Sequence, residues 1–150
     1  MTSYQDDTDL ESLKRSFILG LSDRILSIEE MLLNLEKSDS KEFIRESIRS
    51  LMLEVHSLKG SSSALHIHPI AVICHNLEDL LVPISNSPEL SSPQKISLLF
   101  SVVDLITQYS DEYLSSQMPP NPQKYNKLVE NLVEVETMQK NNNKLITEID

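Results

Sequence analysis

Residues 41–65 read KEFIRESIRSLMLEVHSLKGSSSAL. Ile44, Ile48, Leu51, Met52, Val55, Leu58 and Ser62 recur at three- and four-residue steps, so they share one face of an α-helix. The stretch opens polar and closes in the small-residue run Gly60-Ser61-Ser62-Ser63-Ala64. Ser38-Asp39-Ser40, just before it, can cap its first turn. At about 100° per residue, His56 falls roughly 100° from the centre of the apolar face. It therefore sits on the flank, partly exposed, with Lys59 one turn further on along the same side.

The same period continues on both sides of this helix. Upstream, Leu10, Leu13, Phe17, Leu21, Ile25, Ile28, Leu32 and Leu35 predict a single helix from about Thr8 to Lys37, with Asp7, Thr8 and Asp9 as N-cap candidates. Downstream, Pro69 suits a first helical turn. Ile70, Ile73, Leu77, Leu81 and Ile84 form the stripe of a third helix, and Pro83 marks where it should fray. A Ser- and Pro-rich loop, Asn86 to Pro93, leads to a fourth helix ending near Gln117, with Ile96, Leu99, Val103, Ile106, Tyr109 and Tyr113 facing inward. Met118-Pro119-Pro120-Asn121-Pro122 is a break. A shorter helix from Gln123 to Gln139 follows, carrying Tyr125, Leu128, Leu132 and Val135. The polar stretch from Asn141 to Asp150 reads as loose. These elements predict an all-α fold, an antiparallel four-helix bundle with an additional fifth C-terminal helix packed on its side or end. Residues 1–139 form the domain, and 140–150 a polar tail or the start of a linker.

Composition agrees with few connections. There are only two glycines, Gly20 and Gly60, too few for the tight turns of a many-stranded protein. The net charge of −10 argues against a nucleic-acid partner, since phosphate backbones select basic surfaces. It argues equally against an anionic membrane surface. No apolar run approaches the roughly 18–20 residues needed to span a bilayer, and the acidic start is unlike a signal peptide. Cys74 is the single cysteine, so no intramolecular disulfide can form. A cytoplasmic location is the simple reading.

The chemistry concentrates around His56. A neutral imidazole is a good nucleophile, and its reference pKa near 6.5 keeps it mostly neutral at pH 7. A neighbouring Lys59 can offset the charge of a phosphoryl group placed on it. A carboxylate on the other ring nitrogen would fix the tautomer, and Glu78, on the flank of the third helix at similar depth, is the candidate. Gly60 costs a mid-helix position about 1 kcal/mol relative to alanine. Clearance for something approaching the backbone would explain it, and Ser61, Ser63 and Ala64 extend the low strip.

The segment His56-Ser57-Leu58-Lys59-Gly60 with its trailing small residues resembles the H-x-x-K-G signature of histidine phosphotransfer domains. It is most similar to the N-terminal phosphotransfer domain of chemotaxis histidine kinases. There a second stretch has a His, a Glu three residues on and then Leu-Leu; here Cys74-His75-Asn76-Leu77-Glu78-Asp79-Leu80-Leu81 reads similarly. The resemblance spans roughly residues 10–138, the fifth helix included. It implies that His56 is phosphorylated, that Lys59 neutralises the phosphoryl group, and that Glu78 hydrogen-bonds His56. It makes His75 an auxiliary member of that network, and Gly60 the partner's clearance. One position departs: the family places a glycine six residues after Gly60, closing the helix, where this chain has His66, a residue less at ease in a left-handed conformation.

The implied partners are a histidine kinase catalytic domain and a response-regulator receiver domain, met transiently by a monomeric carrier that is not an enzyme by itself. A standalone shuttle between receiver domains is the alternative within this class. A non-catalytic helical adaptor is the alternative outside it. No metal or cofactor is expected: His66, His68 and His75 make a thin case for zinc, and no Gly-rich phosphate loop is present. The pairs Asp6-Asp7, Glu29-Glu30 and Asp111-Glu112 read as solvated faces, Cys74 as a buried small residue, and Gly20 as a packing residue.

Overall fold

The computed structural model describes residues 2–116 and 118–149, apart from the side chains of 2–7, 90, 139, 140, 143 and 147–149. The expected fourth-helix end at Gln117, the Asp6-Asp7 pair and the terminal Asp150 lie outside the described residues. Six helices follow in order: α1 (Thr2–Leu19), α2 (Leu21–Lys37), α3 (Lys41–Ala64), α4 (His68–Asn86), α5 (Pro93–Ser115) and α6 (Pro122–Ile149), with a 3-10 turn at Pro88–Leu90. Among the described residues there is no strand. Helices α2 to α5 form the bundle, α1 leans on α2 and α5, and α6 packs on α4 and α5.

The core is aliphatic, as the periodicity requires. Ile28, Leu32 and Leu35 of α2 meet Ile48, Leu51, Val55 and Leu58 of α3, Ile70, Ile73, Leu77 and Leu81 of α4, and Leu99, Val103 and Ile106 of α5 in one buried cluster. Ser40 caps α3, its hydroxyl accepting from the Phe43 N–H at 3.3 Å. Ser92 does the same for α5, accepting from Lys95 at 3.2 Å. These bonds satisfy donors that the first helical turn leaves open.

Three expectations are corrected. The predicted helix Thr8–Lys37 is two helices, broken at Gly20, whose ψ is −6°. The Gly20 N–H is shared between the Ser16 and Phe17 carbonyls at 3.1 and 3.2 Å. The break shifts the buried face, so that Ile18 is buried in α1 while Leu13 is exposed. A Cβ at Gly20 would meet only those two carbonyls, at an ordinary 3.6 Å. Gly20 is thus a joint rather than a packing residue. The second correction concerns Pro83, which does not fray α4: the helix continues to Asn86. Pro83 removes one ladder bond, but Leu81 and Ile84 on either side are fully buried and hold the turn in place. The third is α6, which runs on to Ile149 rather than giving way to a loose tail. Val129, absent from the expected stripe, is buried, and Val135 is exposed. The described side chains from Asn141 onward are exposed too.

Candidate functional site

His56 lies on α3 between Val55, fully buried, and the exposed Ser57. The helical phase therefore fixes the imidazole at the edge of the bundle, and its side chain is 73% exposed. Across the tight α3–α4 contact, α4 presents Glu78, the residue after the buried Leu77. The Glu78 side chain is only 18% exposed, and its two oxygens are divided. Oε1 is 2.9 Å from His56 Nδ1, while Oε2 accepts from Lys59 Nζ at 2.6 Å.

Partial burial pushes the Glu78 carboxyl up. The hydrogen bonds from Lys59 and His56, together with their charges, outweigh that and hold it below the usual carboxylate range. Glu78 is therefore ionised at neutral pH, and an ionised carboxylate can only accept. His56 Nδ1 must then carry the hydrogen. The lone pair of a neutral ring is left on Nε2. The arrangement leaves a nucleophilic nitrogen on an exposed ring, with a carboxylate behind it to balance positive charge when Nε2 is substituted.

Lys59 and Glu78 thus come together with His56 as the sequence suggested, though the Lys59 ammonium is committed first to Glu78. His75 does not join them. Its Nε2 faces Asp79 one turn on, at 3.4 Å, and both side chains are largely exposed. The i, i+4 geometry of α4 makes Asp79 its natural neighbour. Gly60, Ser63 and Ala64 are exposed and Ser61 half-buried. Between them, Ser62 points inward, its hydroxyl donating to the Leu58 and Lys59 carbonyls at 2.9 and 3.0 Å. A Cβ on Gly60 would meet nothing within 4 Å, so no neighbouring helix needs that glycine.

The helix then closes through His66, the one described non-glycine residue with positive φ, at 59°. Its N–H donates to Ser63 O at 3.0 Å, and that of Ile67 to Ser62 O at 2.8 Å. These two bonds make a complete Schellman closure, with His66 where glycine is usual. His66 and His68 lie ring to ring, 5.9 Å between centroids. Among the described residues, no group of three or more His, Cys, Asp or Glu is placed to hold a metal ion. Cys74 is buried beneath the site; burial above all, then the Glu78 charge, pushes its thiol up to about 12, so it stays protonated.

Arg24 was not singled out by the sequence. From α2 its Nε donates to Glu54 Oε1 at 2.8 Å and its Nη2 to Ser57 Oγ at 3.2 Å. It thereby ties the turn of α3 that carries His56 to the neighbouring helix. No local pattern signals this contact, since the partners are thirty or more residues apart.

No helix among the described residues is long and apolar enough to cross a membrane. No solved structure gives a significant match to the chain. The Hpt domain family matches residues 10–112, from within α1 to near the end of α5 and including His56, Lys59, Gly60 and Glu78. An all-α bundle matched over more than half of its length in this way belongs to the Hpt domain family: the chain is a histidine phosphotransfer module of two-component signalling, a phosphocarrier that works with kinases and response regulators.

Proposed function

We propose that His56 is the phosphoacceptor, that it receives its group from a chemotaxis-type kinase catalytic domain, and that it passes it to a receiver aspartate. The observation that carries this reading is Glu78 shared between His56 Nδ1 and Lys59 Nζ. In the forward step Nε2 attacks the γ-phosphorus of ATP held by the kinase. The bond from phosphorus to the bridging oxygen breaks, and ADP leaves with that electron pair. Glu78 stays hydrogen-bonded to Nδ1–H and offsets the charge on the ring. Lys59 positions Glu78 and keeps donors in reserve for the phosphoryl oxygens. Gly60, Ser61, Ser63 and Ala64 supply the low surface over which a partner reaches the ring. His75 is left as a surface residue paired with Asp79.

The chemotaxis-type assignment is supported by the His75-Asn76-Leu77-Glu78-Asp79-Leu80-Leu81 stretch and by a helix, α6, packed on the bundle after α5. We place the domain in the cytoplasm as a monomer making transient contacts of modest area. The test is phosphorylation in trans by a chemotaxis-type kinase core with radiolabelled ATP. Acid-labile, alkali-stable label is expected on the wild type and absent from His56→Gln. Equal label on both would move the acceptor elsewhere. No label from the kinase or from a phosphorylated receiver would leave a binding adaptor as the better reading.

A further inference from the structure

His56 sits on a line of basic side chains in an acidic protein. The net charge is −10, yet at about 100° per residue Arg45 and Arg49 fall within roughly 20° of His56 on α3. A rise of 1.5 Å per residue puts Arg49 about 10 Å and Arg45 about 16 Å from it along the axis. Both are exposed. Arg24 and Lys59 are tied to Glu54 and Glu78, but Arg45 and Arg49 form no ion pair among the described residues. Glu42 and Glu46 lie on one flank, roughly 40° and 80° off the line.

Beside this line an open groove of about 410 Å³ runs between α3 and α4, past His56. Met52, Leu53 and Val82 make it apolar, with Arg49 and Ser85 on its rim. Leu53 is 68% and Val82 44% exposed, so neither holds the fold together. Of the two carboxylates on the groove, Glu78 is taken up by Lys59 and His56, and Asp79 faces His75. Arg49 is the groove's unpaired cation.

We propose that the receiver domain docks over this groove, on the side of His56 that leads toward the start of α3. Its carboxylates would face Arg49 and Arg45, and an apolar side chain would enter between Leu53 and Val82. This rests on the phosphotransfer reading and adds the direction of approach and the chemistry of the partner surface. Charge complementarity fits this occupant: an acidic receiver surface facing Arg49 and Arg45 would bring its acceptor carboxylate to His56. In the transfer an oxygen of that carboxylate attacks phosphorus, and the bond from phosphorus to Nε2 breaks. The electron pair returns to the ring, which still donates through Nδ1 to Glu78.

The test uses the full chain loaded on His56 with phosphoramidate, which delivers a phosphoryl group and releases ammonia without a protein donor. Transfer to a panel of receiver domains from the source organism is then followed at low and high salt. Arg45→Glu/Arg49→Glu should load at the wild-type rate but transfer with kcat/KM lowered about tenfold at low salt, converging with wild type at high salt. Leu53→Ser should lower transfer at both salt levels. Lys127→Glu, an exposed charge change on α6, should do neither. If the double arginine variant matches Lys127→Glu at low salt, or slows only phosphorylation by a kinase, the docking face is wrong while phosphotransfer stands. If wild-type phosphoprotein gives its group to no receiver, the phosphotransfer reading fails and this inference with it.

Discussion

Glu78 accepts from both His56 and Lys59, and its charge state decides how the site behaves with pH. Despite partial burial, its carboxyl is held below the usual carboxylate range in the folded protein by its bonds to Lys59 and His56, so the unfolded chain takes up the proton first as pH falls. The stability this contributes is fully present above the unfolded value and is lost as pH drops through the folded value. Glu78→Gln should therefore cost about 0.5–1 kcal/mol in urea unfolding at pH 7. At pH 3 the gap to wild type should shrink, and a gap unchanged between the two pH values would count against the charged pair. Phosphorylation of His56 should slow about tenfold or more in the same variant, since the tautomer is no longer fixed by an anion. The pairing of His56 with Glu78 was legible from the resemblance of the two stretches that carry them, since helical phase puts each on a flank but does not say which flanks meet. The Arg24 bonds to Glu54 and Ser57 were not legible, because which faces of α2 and α3 meet depends on how the helices assemble.

Helix α3 and the turn that closes it carry two residues that stability alone would not choose, and the two have different causes. Gly60 leaves open space where a Cβ would stand. Gly60→Ala should raise stability by about 0.5–1 kcal/mol through helix propensity alone, yet slow transfer between proteins severalfold. A variant that is more stable and equally fast would show that no partner needs the clearance. His66 holds a left-handed conformation that costs a non-glycine residue about 1–2 kcal/mol, partly regained because glycine loses more freedom on folding. His66→Gly should raise Tm by about 2–4 °C with transfer unchanged, as a thermal melt beside the transfer assay would show. The sequence flagged this position, and the structure keeps the Schellman closure despite the side chain. Buried Ile67 and Leu58, on either side of the closure, leave the chain little other path. Elsewhere the periodicity misjudged how elements end. It read through Gly20 because the apolar spacing on both sides is helical, and it expected α4 to fray at Pro83 because only packing could hold that turn.

Helix α6, packed on the bundle, lies wholly beyond the residues that match the Hpt family. Its anchor is Tyr125, almost fully buried, edge-on to Tyr109 of α5 at 5.2 Å between centroids. The Tyr125 hydroxyl donates to Glu112, which also accepts from Lys124 at 3.1 Å. Tyr125→Ala should cost about 3–5 kcal/mol, measured by urea unfolding, and hydrogen exchange should show α6 protection lost before that of α3 and α4. Protection lost evenly throughout would mean that α6 is integral to the bundle rather than docked on it. By itself the sequence determined the helical class, most of the core stripes and the exposure of His56. Each of these follows from a 3.6-residue period that acts locally. Only the tertiary structure decided the break at Gly20, the separation of His75 from the site, the Arg24 tie and the groove beside His56. Those depend on which faces of distant helices come into contact, and a local period carries no information about that.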